Sequence, residues 1–297
     1  MKPAEFEEKE YELALYNQLG RNTLRLWPPG QVLESYLGFD LTLLLNDPYL
    51  WNLRGLARQL RGFSPWHKLW PLFRSKQWQR SRLPRFRCNC FIQSKRPQVG
   101  SRLPRKLRLL GSHRPFFRFS IASDQQQLLE TAADHLAGRA LFTYAAPVFS
   151  KSSELFRHMT AESIVSNSTF PDFGTLTAQH AWYYNQPGAT GVANRSFQQF
   201  EIASLEARIA ALTLEHANVS EEELSPSEAL GELARALQVV VEEVGAAGEQ
   251  ARAAYLADEW RSISRISENA DVPPALVSYL QVETFAVYCN LKWLTIV

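Results

Sequence analysis

Residues 85–95 read Arg-Phe-Arg-Cys-Asn-Cys-Phe-Ile-Gln-Ser-Lys. Phe86, Cys88, Cys90 and Ile92 alternate with Arg87, Asn89, Phe91 and Gln93, which is the two-residue period of a β-strand. Positions two apart on a strand project from one face, so Gln93 and Lys95 are expected on the same side. A basic loop follows over 96–113, punctuated by Pro97, Gly100, Pro104 and Gly111. Residues 116–122 then predict another strand. Asp124 is placed to cap a helix running to about residue 137, and Gly138 to stop it. Residues 140–148 form a further, more buried apolar run. Strand, helix, strand in succession argues for a layered α/β fold.

Upstream, residues 5–19 place Phe6, Tyr11, Leu13, Leu15, Tyr16 and Leu19 at helical spacing. Trp27-Pro28-Pro29-Gly30 breaks that pattern, and a short helix over 31–36 closes at Gly38. Residues 39–45, Phe-Asp-Leu-Thr-Leu-Leu-Leu, read as a buried strand holding one acid. Residues 49–84 are basic, Trp-rich and broken by Gly55, Gly62, Pro65 and Pro71, and read as an insertion. Downstream of 148, a helix over 152–159 leads into an irregular region with Gly174, Pro187, Gly188 and Gly191. From about 197 the composition turns to Ala, Leu and Glu, and helices are expected near 198–217, 226–244, 247–267 and 274–284. Residues 285–297 close as a strand or extend the last helix. The expected division is an α/β core at 1–195 and a helical region at 196–297 that packs on it or mediates self-association.

Charge is sharply segregated along these 297 residues. Of the 32 Lys and Arg, 18 fall between Trp51 and Ser120, a stretch with no Asp or Glu at all. The remaining 14 share the rest of the chain with all 30 acidic residues, so a segment of formal charge +18 adjoins a body of −16. Such a segment attracts polyanions, because each neutralised phosphate releases condensed counterions. Trp51, Phe63, Trp66, Trp70, Phe73 and Trp78 interleave with the cations, as expected where rings stack on bases. Arg54, Arg58, Arg61, Arg85, Arg87, Arg96, Arg105 and Lys106 are the candidate phosphate contacts, with DNA the expected partner. No run of about 20 apolar residues is present to span a bilayer, and the three cysteines cannot all pair, which points to a reducing, cytoplasmic setting.

An acid inside an apolar strand needs a partner, because an unpaired buried charge is costly. Asp40 is such an acid, and Glu34 lies six residues before it. Together with an amide oxygen from Gln93, Asp40 offers the hard oxygen ligands that Mg²⁺ or Mn²⁺ prefers. Lys95 then stands where it can orient water or stabilise charge developing on a phosphate.

Glu34, the run Leu37-Gly38-Phe39-Asp40, and Phe91-Ile92-Gln93-Ser94-Lys95-Arg96 resemble the PD-(D/E)xK nuclease superfamily. The similarity is to the Gln-x-Lys variant of Mrr-type restriction enzymes and transposon end-cleaving nucleases. The resemblance implies a restriction-endonuclease-like mixed sheet flanked by helices, with the Asp strand beside the Gln-x-Lys strand. It also implies metal-dependent hydrolysis of DNA phosphodiesters, with Asp40 and Gln93 as metal ligands, Lys95 as catalytic lysine and Glu34 as accessory acid. The whole chain also resembles bacterial proteins linked to phage defence. Two departures stand out. The 53 positions between Asp40 and Gln93 replace the family's short hairpin, and Glu8 or Glu10 competes with Glu34. Asn52-Leu53-Arg54 competes for the Gln-x-Lys position, and would make the site inactive. A non-catalytic nucleic-acid-binding or sensor subunit with a degenerate nuclease fold is the alternative reading.

Other chemistries have little to stand on. The six histidines show no metal-ligand spacing, Cys88-Asn89-Cys90 lacks redox spacing, and Gly188-Ala189-Thr190-Gly191 lacks the lysine of a phosphate loop.

Overall fold

The strand at the centre of this reading is buried on both faces. In the structure, a computed structural model, residues 1–21, 26–27, 88–101, 115–188, 190–194, 198–218, 224–246, 251–269 and 274–296 are described. Among them the elements run β1 (Lys2–Pro3), α1 (Glu8–Arg21), β2 (Leu26–Trp27), β3 (Cys88–Ser94), β4 (Gln98–Gly100), β5 (Phe116–Ser120), α2 (Ser123–His135) and β6 (Ala140–Pro147). They continue with α3 (Ser152–Thr160), β7 (Ser168–Thr169), β8 (Ala181–Tyr184), β9 (Thr190–Ala193) and β10 (Gln198–Glu201). The chain closes with α4 (Leu205–Asn218), α5 (Pro226–Ala246), α6 (Ala251–Asn269), α7 (Pro274–Tyr288) and β11 (Lys292–Ile296). Over these residues the protein is a mixed α/β fold with two sheets.

The five-stranded sheet has the order β2-β11-β3-β6-β7, and β3 runs parallel to β6 through the α2 crossover. One face, carrying Phe91, Phe142, Tyr144 and Trp293, enters the larger core with α2, α5 and α7. The other face, carrying Cys90, Ile92, Ala145 and Leu294, packs with α1 and α4. Covering both faces is what a strand in parallel pairing needs, and all seven residues of β3 are buried, including the polar Asn89, Gln93 and Ser94. The six-stranded sheet, β1-β4-β5-β8-β9-β10, is antiparallel throughout.

The strand–helix–strand order holds, but Asp124 is not the cap: α2 starts two residues earlier than that assignment implies, at Ser123, and its N-cap residue, Ala122, makes no side-chain cap. Gly138 adopts a φ of +76°, which suits glycine and turns the chain from α2 towards β6. Three expectations are corrected. The stretch read as irregular contains β8, Ala-Trp-Tyr-Tyr, and β9, both too short for periodicity to reveal. The helix expected from 198 begins at Leu205, after β10 pairs with β9, and the Ser204 hydroxyl caps it by accepting from the Ala207 N–H at 3.1 Å. Leu13, counted on the apolar side of α1, is 64% exposed.

The C-terminal residues form a strand, and that strand binds the two expected regions into one core. β11 pairs antiparallel with β3, Lys292 opposite Ile92 and Ile296 opposite Cys88. The buried Trp293 donates from Nε1 to Asn89 Oδ1 at 2.9 Å, satisfying a polar side chain in the middle of β3. No helix among the described residues is long and apolar enough to cross a membrane.

Candidate functional site

Gln93 and Lys95 share a face, as the strand period requires. Gln93 is 1% exposed, and its Nε2 donates to the Cys289 carbonyl at 2.9 Å and to Gln125 Oε1 at 3.1 Å. Gln125 Nε2 donates to that same Cys289 carbonyl. A carbonyl accepts only, so the Gln93 nitrogen must face Cys289, and the amide orientation is set by its partner. Three segments thus meet at one buried carbonyl: the end of β3, the first turn of α2 and the residue after α7.

Lys95 Nζ lies 5.4 Å from the centroid of the Tyr144 ring, a cation–π distance. The Tyr144 hydroxyl donates to Gln126 Oε1, and Gln126 Nε2 donates to Glu130 Oε1 at 2.7 Å and to the Phe173 carbonyl at 3.2 Å. Burial raises the Tyr144 phenol well above its ordinary range. Burial also raises Glu130, while hydrogen bonds from Gln126 and Thr177 oppose the shift. The chain Lys95–Tyr144–Gln126–Glu130 therefore runs from an ammonium to a carboxyl inclined to hold its proton.

On the opposite face of the same strand end, the Tyr16 hydroxyl meets Ser94 Oγ at 3.2 Å and the Ile92 carbonyl at 3.3 Å. Lys292 Nζ stands 5.9 Å from the Tyr16 ring centroid. Of the acids on α1, Glu8 accepts from Asn290 Nδ2 at 3.2 Å and Glu10 accepts from the Glu7 backbone N–H at 2.7 Å. Both are engaged at the surface of the fold.

Glu34 and Asp40 lie outside the described residues. The neighbours of β3 are β11 on one edge and β6 on the other, which leaves neither edge of Cys88–Ser94 open to a third strand. Among the described residues no group of three or more His, Cys, Asp or Glu is placed to hold a metal ion. Gln93 brings one amide oxygen, whereas Mg²⁺ takes a full octahedron of oxygens with carboxylates among them. The described residues therefore do not by themselves fit such an ion.

Among the candidate phosphate contacts, Arg54, Arg58, Arg61, Arg85, Arg87, Arg105 and Lys106 lie outside the described residues. Arg96 is described, and it is committed to the fold: its Nη1 donates to both carboxylate oxygens of Glu7 at 2.9 and 2.8 Å, and its Nη2 to the Ala4 carbonyl at 2.6 Å. The three thiols are buried and none forms a disulfide, and burial pushes Cys90 up to about 12, so it is an inert core residue.

Sequence reasoning missed Gln125, Gln126 and Tyr144. The signal was present in Gln125-Gln126-Gln127, an uncharged polar run at the start of a helix between two buried strands, two of whose amides are buried. What these elements define is a mixed α/β protein with an amide cluster where the parallel strand β3 ends. Set against protein-family models, curated proteins and solved structures, the chain matches none of them.

Proposed function

We propose that this chain binds nucleic acid through its acid-free basic stretch, carried on a nuclease-like α/β core. The observation behind the reading is the segregation of charge: 18 Lys and Arg without one acid between residues 51 and 120. Gln93 serves as a structural amide in this reading, since its nitrogen is bound to Cys289 and its side chain is closed off from solvent. Buried cysteines that form no disulfide suit a reducing compartment such as the cytoplasm. Replacing Arg102, Arg105, Lys106, Arg108 and Arg114 together by Gln should weaken binding of a labelled oligonucleotide by about tenfold or more, since five phosphate contacts are lost. Unchanged affinity would reject the assignment.

A second reading, metal-dependent cleavage of DNA in the manner of restriction endonucleases, is favoured by two observations. Gln93 and Lys95 lie on one face, and β3 joins its parallel neighbour β6 through a helical crossover. In that reading Asp40 and Gln93 hold Mg²⁺ or Mn²⁺, Glu34 assists and Lys95 is the catalytic lysine. Incubation with plasmid and either metal, with EDTA as control, should then give nicked or linear product. Lys95→Ala should abolish the product while sparing binding. Cleavage that survives Lys95→Ala would remove the site.

A further inference from the structure

The first residues of the chain pack against residues 97–99 of the acid-free stretch. Lys2 and Pro3 pair with Val99 and Gln98. The Ala4 N–H donates to the Pro97 carbonyl at 2.9 Å, and the Glu5 N–H to the Ser150 carbonyl at 2.7 Å. Ala4 and Phe6 enter the core that α1 shares with α4, with the Phe6 ring 5.6 Å from that of Phe149. Glu5 and Glu7 alternate with them and are exposed. Two buried side chains thus fix a segment whose outer side carries acids. Glu5 accepts from the Ser152 N–H at 3.2 Å, and Glu7 turns to Arg96.

Lys95, Arg96 and Arg118 are the described cations of the acid-free stretch. Lys95 and Arg118 stand over aromatic rings, whereas Arg96 faces an acid. Its guanidinium is held on two sides of different character. Nη2 donates to the Ala4 carbonyl, a half-buried contact that fixes its direction. Nη1 donates to both Glu7 carboxylate oxygens at the surface, where the Glu7 side chain is 71% exposed and that of Arg96 30%. Two anionic oxygens on a guanidinium stand where those of a phosphate would stand in the same charge-assisted pair. An exposed ion pair holds weakly, so this one can be displaced. The acidic run continues through Glu8 and Glu10, and an anion approaching Arg96 meets those carboxylates as well.

We propose that residues 5–10 are an internal competitor for nucleic acid, with the Glu7 carboxylate occupying Arg96 in place of a backbone phosphate. The proposal rests on the nucleic-acid reading above and adds a contact that restrains it. Fluorescence anisotropy with a labelled single strand across a salt series tests it on the full chain, with circular dichroism to show that each variant is folded. Glu7→Gln should tighten binding and steepen the slope of log K against log salt by about 0.7, the share of one further phosphate. Arg96→Gln should remove that gain from Glu7→Gln while changing the parent little. Glu242→Gln, an exposed acid on α5, changes the net charge equally and should give neither the tighter binding nor the steeper slope. A Glu7→Gln variant that binds no tighter than Glu242→Gln, or a gain that survives Arg96→Gln, would overturn the competitor while leaving the nucleic-acid reading intact. Failure of the parent and of Glu7→Gln to bind at low salt would overturn both.

Discussion

The two sheets differ in what covers them. The five-stranded sheet is enclosed on both faces by helices and by the other sheet, and every polar side chain of β3 is tied down: Asn89 to Trp293, Gln93 to Cys289 and Gln125, Ser94 to Tyr16. The six-stranded sheet buries one face and turns Arg118, Tyr183 and Gln199 the other way. Polar groups in the first sheet are satisfied by protein and specify the packing. In the second, the Arg118 Nε stays unpartnered.

This contrast can be broken by substitution, and the largest effect should come from the enclosed sheet. Trp293→Ala removes a fully buried ring and the donor to Asn89 together, and should cost about 3–5 kcal/mol in urea unfolding. A loss below about 1 kcal/mol would show that β11 is not integral to the core. Gln93→Ala, which deletes one of the two amides on the Cys289 carbonyl, should cost about 1–3 kcal/mol with folding otherwise two-state. If Gln93 were free for a ligand, the same change would leave stability untouched. Arg118→Ala, in the six-stranded sheet, should change the unfolding free energy by no more than about 0.5 kcal/mol, since the fold gives its donors so little.

The smallest effect concerns pH. Burial raises Glu130 above the usual carboxylate range. Between the unfolded and folded values the native state binds the more protons, so this carboxyl contributes stability that is lost as pH rises through its raised folded value. Glu130→Gln should flatten that decline in a series of unfolding curves beginning near pH 4.5. An unaltered slope would place the titration elsewhere.

Much of the enclosed sheet was legible in the amino-acid order. The alternating pattern is a strand over Cys88–Ser94, the apolar run is one over Ala140–Pro147, and Gly138 is the turn between α2 and β6. The crossover follows from those signals because a helix between two buried strands has one economical way to pack. The six-stranded sheet was less legible. β8, β9 and β10 are four residues each, short enough that tertiary pairing, not local period, decides them. Residues 198–201 illustrate the difficulty: Gln-Gln-Phe-Glu suits a helix start as well as a strand, until pairing with β9 selects the extended form. At the candidate site, the shared face of Gln93 and Lys95 followed directly from spacing. The burial of Gln93 did not, because its partners are Gln125, 32 residues away, and the carbonyl of Cys289, 196 residues away. No local pattern reports a contact of that separation.

Binding of nucleic acid by the acid-free stretch is tested most directly by measuring affinity for a labelled single strand across a salt series. Five or more phosphate contacts predict that log K falls linearly with log salt, with a slope of about −3 or steeper. A slope near zero, or no binding at low salt, would contradict it.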